Sequence, residues 1–172
     1  MYKRQGIQDQ ESLKKFLEPS LEDLYDPYLL HDMEKAVERI RRAIEDGENI
    51  LIYGDYDADG MTSASIVKEA LEQLGAECQV YLPNRFTDGY GPNSSVYKYF
   101  IENQGISLII TVDNGVAGFE AIELAHSLGV DVIVTDHHSM PEELPNAYAI
   151  VHPEHSGAVS YTHLRAHETK AN

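Results

Sequence analysis

The sequence predicts an α/β fold: an open, mainly parallel sheet with helices on both faces and a helical cap at the amino end. Two observations carry this. Short unbroken apolar runs alternate along the chain with stretches of three- and four-residue apolar spacing, and three of the runs, at 50–53, 108–112 and 130–135, each deliver acidic residues at their carboxyl ends. Strands joined through helices form βαβ crossovers and a parallel sheet, whose central strands are buried on both faces and so read as continuous apolar runs. A chain of 172 residues, 42% hydrophobic with eleven Tyr and four Phe, can bury one such core, and length suggests one domain.

In chain order, roughly the first 30 residues are polar, with scattered apolar anchors and no clean period, and are expected to cap the domain. From Asp32 the spacing of Met33, Ala36, Val37, Ile40, Ala43 and Ile44 predicts a helix stopped by Gly47. A strand at 50–53 leads to Gly54 and Asp55. Ile66, Val67, Ala70, Leu71 and Leu74 share one face of a helix over 63–74 that ends before Gly75. Residues 78–82 alternate as a strand does, and Cys78 within them is expected to be a small buried hydrophobe. A loop over 84–93 precedes a helix around 95–103 that stops near Gly105. The strand at 108–112 is followed by Asp113, Asn114 and Gly115, then by a helix over 119–128 ending at Gly129. The strand at 130–135 ends at Asp136, His137 and His138, and 147–151 supplies a further strand. The domain division is an extension and helix over 1–47, a catalytic unit over 48–157 that is incomplete at its carboxyl end, and a tail over 158–172. That tail is read as non-native, because VSYTHLRAHET back-translates to DNA resembling a transposon-type sequencing adapter; its His163 and His167 are set aside.

Lys and Arg total 13 against 29 acidic residues, a formal charge of −16, which argues against a whole-surface grip on phosphate backbones. Nucleic-acid contact must then be local or bridged by metal. One cysteine excludes an internal disulfide, and the first residues carry no apolar stretch resembling a signal or a membrane span, so a cytoplasmic protein with no membrane association is expected.

In a parallel sheet all carboxyl ends lie along one edge, where ligand crevices form. Asp55, Asp57, Asp59, Asp113 and Asp136, with His137 and His138, should therefore converge. Clustered carboxylates repel and raise one another's pKa unless cations sit among them. Oxygen ligands with an imidazole suit Mn²⁺ or Mg²⁺ better than zinc, and carboxylates from three strands fit two ions that together activate water and clamp a phosphoryl group. Two competing motifs fail. Asp55, Asp57, Asp59 and Gly60 imitate an EF-hand opening, but the twelfth position is Ile66, which cannot chelate. They also loosely imitate an aspartyl-phosphate phosphatase with Asp55 as nucleophile, which leaves His137 and His138 unexplained.

GDYDADGMTS at 54–63, PNRFTDGYG at 83–91, ITVDNG at 110–115 and VTDHH at 134–138 resemble, in order, the successive motifs of the DHH phosphoesterases; DPYLLHDMEKAVERIRRAI at 26–44 resembles the segment leading into that domain. The likeness covers roughly residues 17–157, and the first two blocks are most similar to the family's single-strand-specific exonucleases. The resemblance implies a Rossmann-like DHH domain. It implies metal binding by Asp57, Asp59, Asp113 and His137, with Asp113 bridging two ions. His138 would face the scissile phosphate, Asp136 would orient its neighbours, and Asp55 would assist from the outer sphere. Arg85 is a candidate phosphate contact, Asn114 and Gly115 can aim backbone N–H groups at substrate, and Tyr56 and Tyr90 can stack bases. The implied activity is hydrolysis of single-stranded DNA from the 5′ end with Mn²⁺ or Mg²⁺, in DNA repair and recombination, by a monomer working with a single-strand-binding protein or helicase. The family adds a further metal-binding aspartate and carboxyl-terminal domains, so this chain alone is expected to be inactive or nearly so. Pro92 departs from the family pattern, which has an aliphatic residue there. Other readings are a DHH phosphodiesterase of oligonucleotides or cyclic dinucleotides, a pyrophosphatase, or a non-catalytic metal- or nucleotide-binding module.

Overall fold

The computed structural model describes residue 7 and residues 9–155; the expected tail lies outside them. Helix α1 (Gln10–Leu17) is capped by Asp9, whose carboxylate accepts from the Ser12 N–H, and it buries none of its residues. Two single 3₁₀ turns follow, at Leu21–Asp23 and Pro27–Leu29. The remaining elements are α2 (Met33–Glu45), β1 (Asn49–Tyr53), α3 (Ala58–Gln73), β2 (Cys78–Tyr81), α4 (Ser94–Gln104), β3 (Ile106–Val112), α5 (Phe119–Ser127), β4 (Asp131–Thr135) and β5 (Ala149–Val151). Among the described residues no helix is long and apolar enough to cross a membrane.

All four strand pairings are parallel, in the order β2-β1-β3-β4-β5. The chain lays β2 on one side of β1, then crosses back to place β3 on the other, so the order reverses between β1 and β3. In doubly wound sheets that reversal opens a crevice at the carboxyl ends.

Side chains alternate across the sheet and fill two cores. Leu51, Tyr53, Ile109, Val132, Val134 and Ile150 pack against Tyr97 and Phe100 of α4 and Ala121, Ile122 and Ala125 of α5. Ile50, Ile52, Leu108, Ile110, Val112, Ile133 and Val151 pack against Ala36 and Ala43 of α2 and Ala64 and Leu71 of α3. Each such fully buried Ile, Leu or Val contributes about 1.5–3 kcal/mol relative to exposure. Arg39 of α2 is buried beneath the opposite, amino-terminal edge. Its guanidinium forks onto both oxygens of Glu48 (3.0 and 2.7 Å) and reaches Asp131 at 2.5 Å, while Ser107 donates to Glu48. The clip ties α2 to the starts of β1, β3 and β4.

The structure departs from expectation in three places. The amino-terminal cap is helical, as expected, but it meets the core through Leu30 and Met33 rather than through α1, which buries none of its residues. Helix α3 begins at Ala58, ahead of the apolar pattern at 63–74, because the Asp57 carboxylate accepts from the Asp59 and Gly60 N–H groups and starts the helix on polar residues. Cys78 is half-buried against the α2/α3 core, and burial pushes its thiol pKa up, which keeps it unreactive.

Candidate metal centre

The sheet register sets the site. Tyr53 pairs with Thr111, Val112 with Thr135, and Thr135 with Val151. Counting on from those rungs, Asp55, Asp113, Asp136 and His152 occupy one level just past the strand ends, so four polar residues distant in sequence become neighbours along one rim.

At the tip of β1 the chain turns directly into α3. Asp55 is buried, and its carboxylate accepts from the Tyr56 N–H. Asp57 is exposed and spends one oxygen, Oδ1, on the α3 cap, leaving Oδ2 directed elsewhere. Asp59 lies exposed in the first turn of α3. Gly60 is required by contact: a Cβ there would fall 2.4 Å from the Asp55 backbone nitrogen and 2.6 Å from its Cα. The glycine lets the first turn of α3 lie against the Asp55 backbone.

At the tip of β3, Asp113 takes a left-handed backbone (φ 63°), which aspartate tolerates better than most residues, and its N–H donates to the Thr135 carbonyl. Its carboxylate is 5% exposed. Asn114 is turned inward, donating to the Val112 carbonyl at 2.9 Å and towards the Tyr53 carbonyl at 3.4 Å. Gly115 (φ 124°) sits where a Cβ would strike the Thr111 Oγ1 at 2.6 Å. Both residues are buried behind the rim, and their hydrogen bonds and close contacts shape the turn that presents Asp113.

At the tip of β4, Asp136 is fully engaged. Oδ1 accepts from the His137 and His138 N–H groups and from His138 Nδ1 at 2.8 Å, and Oδ2 accepts from the Val116 N–H at 3.0 Å. It organises both histidines and staples them to the turn after β3. His137 Nε2 lies 2.7 Å from Asp113 Oδ1, and the two histidine rings are 4.8 Å apart. His138 is the more exposed, and its Nε2 meets the Tyr90 hydroxyl at 3.1 Å.

Two triads of ligand atoms result, each with its atoms within 4.8 Å of one another: Asp55, Asp57 and Asp113, and Asp113, His137 and His138. Asp113 belongs to both. Asp59 belongs to neither, although its charge acts on the site. Burial first, then Asp57, with Asp59 and Asp55 adding, raises the Asp113 carboxyl to about 7. For His138, burial opposes protonation, but the Asp136 hydrogen bond and the Asp136, Asp113 and Asp55 charges outweigh it and raise the pKa. Acids this crowded need positive charge among them. Oxygen donors with imidazole at one side are a donor set that Mn²⁺ or Mg²⁺ fits.

The loop over 84–93 forms one wall. Tyr53 donates to the Gly91 carbonyl at 3.0 Å, Tyr81 to Asp88 at 2.7 Å, and Asn93 to the Asp88 carbonyl. These bonds deliver Tyr90 to His138, and burial followed by the Asp136 charge pushes its phenol up to about 12. Arg85 is exposed and stacks over the Tyr56 ring at 5.5 Å, beside the β1 tip. Pro92 packs where a Cβ on Gly118 would fall, 2.6 Å from its Cγ, and so fits the loop against the start of α5.

His152, just past β5, is fully buried. Its Nε2 faces the His138 carbonyl at 2.7 Å and its Nδ1 accepts from the Glu154 N–H at 3.0 Å. The sequence does not single it out because no aspartate follows that strand directly, although it follows an apolar strand as the other three tips do.

A family model for the DHH family, N-terminal domain, matches residues 49–168, a span that runs into the tail read as non-native. The chain is 46% identical over 154 residues to the single-stranded-DNA-specific exonuclease RecJ of Bacillus subtilis, covering 90% of this chain and 20% of that protein. It spans a fifth to about a quarter of the length of the first curated relatives it matches. A crystal structure of exonuclease RecJ bound to manganese superposes with a TM-score of 0.71 at 29% identity, covering 82% of this chain and 38% of that one. RecJ of Thermus thermophilus in complex with Mn²⁺ superposes with a TM-score of 0.66 at 29% identity, covering 88% of this chain and 20% of that one.

Proposed function

The chain belongs to the DHH family, and on that premise we propose that it is the amino-terminal catalytic part of a metal-dependent exonuclease acting on single-stranded DNA from the 5′ end. The observation that carries the reading is Asp113, whose carboxylate is shared by both triads of ligand atoms. Asp57, Asp113 and His137 hold divalent cations, Mn²⁺ or Mg²⁺, with Asp55 completing the group at the β1 tip and Asp59 adding negative charge from α3. Bound there, the cations lower the pKa of water and neutralise charge on the phosphodiester.

The chain's own residues do the rest. Asp136 fixes the orientation of His138 through Nδ1, leaving the Nε2 edge towards the crevice, where Tyr90 meets it. A histidine held by a carboxylate stays protonated to higher pH, so His138 binds the anionic phosphate and can pass a proton to the leaving oxygen. Arg85 and Tyr56, stacked beside the rim, supply a guanidinium and an aromatic face for a single strand. With a net charge of −16, the grip on DNA is confined to this rim and to the remainder of a longer protein. We place that protein in the cytoplasm as a monomer acting with a single-strand-binding protein or helicase in repair and recombination.

The test is release of mononucleotides from 5′-labelled single-stranded DNA by the full-length protein with Mn²⁺. Asp113→Ala and His137→Ala should each lower kcat at least a hundredfold. Near-full activity in either variant would refute the assignment. Preference for dinucleotides, cyclic dinucleotides or pyrophosphate over long strands would move the chain to another DHH activity.

A further inference from the structure

A second group of ligands lies apart from the rim, on the outer side of β5. His31 and Asp32, from the turn entering α2, and His155, from the turn after β5, bring three ligand atoms within 4.8 Å of one another. The His31 and His155 rings are 3.9 Å apart, and His31 Nδ1 lies 3.3 Å from Asp32 Oδ1.

The backbone of Ile150 orients two of the three. Its N–H donates to Asp32 Oδ2 at 3.0 Å, leaving Oδ1 towards the histidines. Its carbonyl lies 3.4 Å from His155 Nδ1. A carbonyl can only accept, so Nδ1 carries the proton and the Nε2 lone pair is left for a ligand. Metal-binding histidines are commonly held in this way, with the second ring nitrogen donating to a backbone carbonyl. Asp32 heads α2 yet makes no capping bond, and it adopts a left-handed backbone (φ 59°) with its carboxylate on the strand edge.

We propose that His31, Asp32 and His155 bind one zinc-class divalent cation, with water completing the coordination, as a clip between the segment ahead of α2 and the turn after β5. Two imidazoles and one carboxylate, with no further acid in the group, form a borderline donor set that favours Zn²⁺, whereas at the rim Asp55 and Asp57 join Asp113 and make the donor set as a whole richer in oxygen. Tetrahedral zinc with bonds of about 2.0–2.1 Å needs its ligand atoms roughly 3.4 Å apart, so the group has to contract. The exposed His31 side chain and the turn bearing His155 can supply that movement. The clip also reaches the rim, since the His155 N–H donates to the His152 carbonyl and His152 contacts the His138 carbonyl.

The test is calorimetric titration of the 172-residue chain with Zn²⁺ after the rim is disarmed by Asp113→Asn with His137→Ala. One zinc should bind, and His31→Gln or His155→Ala should each weaken it more than tenfold, while Mn²⁺ at equal concentration leaves it in place. Unchanged affinity in both variants, or ready displacement by Mn²⁺, overturns the proposal. His31 is exposed, so His31→Gln preserves the fold and reads the ligand role alone. Visible absorption of the Co²⁺-loaded, rim-disarmed chain is the second measurement: an intense tetrahedral band lost in His31→Gln supports the site, and its absence overturns it.

Discussion

His152 faces the main-chain carbonyl of His138 at 2.7 Å, joining the end of β5 to the turn after β4. Because Nδ1 already accepts from the Glu154 N–H, Nε2 is the nitrogen that donates to the carbonyl, and the two bonds fix the orientation of the ring. His152 therefore acts as a positioning residue. His152→Ala should cost about 2–4 kcal/mol through the cavity and the two unpaired backbone groups. In the full-length enzyme it should lower kcat with little change in KM. His152→Gln, which can restore the bond to the carbonyl, should recover part of the lost rate. Equal losses in both variants, or a change confined to KM, would remove the positioning role. Chemical denaturation and steady-state kinetics on DNA provide the two readouts.

Asp113 sets a pH dependence. Its folded-state pKa of about 7 lies above the ordinary carboxylate value of 3.8, so between those values the metal-free folded chain holds a proton that the unfolded chain has lost. This contribution favours folding at low pH and fades as pH rises towards 7. The metal-free chain should thus melt at a lower temperature at pH 7 than at pH 5 so far as Asp113 governs it, and Asp113→Asn should flatten that slope. Binding Mn²⁺ at pH 6 should expel about one proton. Calorimetry in buffers of different ionisation enthalpy reads the proton count, and a value near zero would show that Asp113 is already ionised.

Gly60→Ala tests the contact between α3 and the β1 tip. Its Cβ would sit 2.4 Å from the Asp55 backbone nitrogen, and backbone cannot step aside as a flexible side chain can. Helix propensity favours alanine by up to about 1 kcal/mol, but overpacking against backbone should win, for a net loss of about 1–3 kcal/mol. The displaced Asp55 and Asp57 should also weaken Mn²⁺ binding at least tenfold. Thermal melting and metal titration separate the two effects, and a variant as stable as the parent would show that the turn can relax.

The rim was legible because parallel register carries residues distant in sequence to one level, and carboxylates after apolar runs mark that level at Asp55, Asp113 and Asp136. Periodicity could not reveal the onset of α3, where Asp57 starts a helix on Ala58, Asp59 and Gly60, residues that carry no apolar stripe. It also could not show that Asn114 turns inward, since that depends on the Val112 and Tyr53 carbonyls it finds there. His152 and the contact between Tyr90 and His138 are tertiary events, with partners set by the loop over 84–93 and the turn after β5.

Arg39 allows fold stability to be separated from site chemistry. Its side chain is 5% exposed, while those of Glu48 and Asp131 are 20% and 33% exposed. Burial opposes its charge, but the Glu48 and Asp131 hydrogen bonds raise its pKa overall, so it stays cationic throughout the working range. Arg39→Ala leaves two carboxylates facing one another beneath α2. Full burial of an unpaired charge would cost about 3–5 kcal/mol, and partial exposure of the two acids reduces this to about 2–3 kcal/mol. Arg39→Lys should recover less than half, because an ammonium cannot fork onto Glu48 while reaching Asp131. The clip lies at the amino-terminal edge and the rim at the other, so folded Arg39→Ala protein should bind Mn²⁺ with parental affinity. Urea unfolding paired with metal titration tests this, and a loss of affinity without a loss of stability would contradict the separation of the two edges.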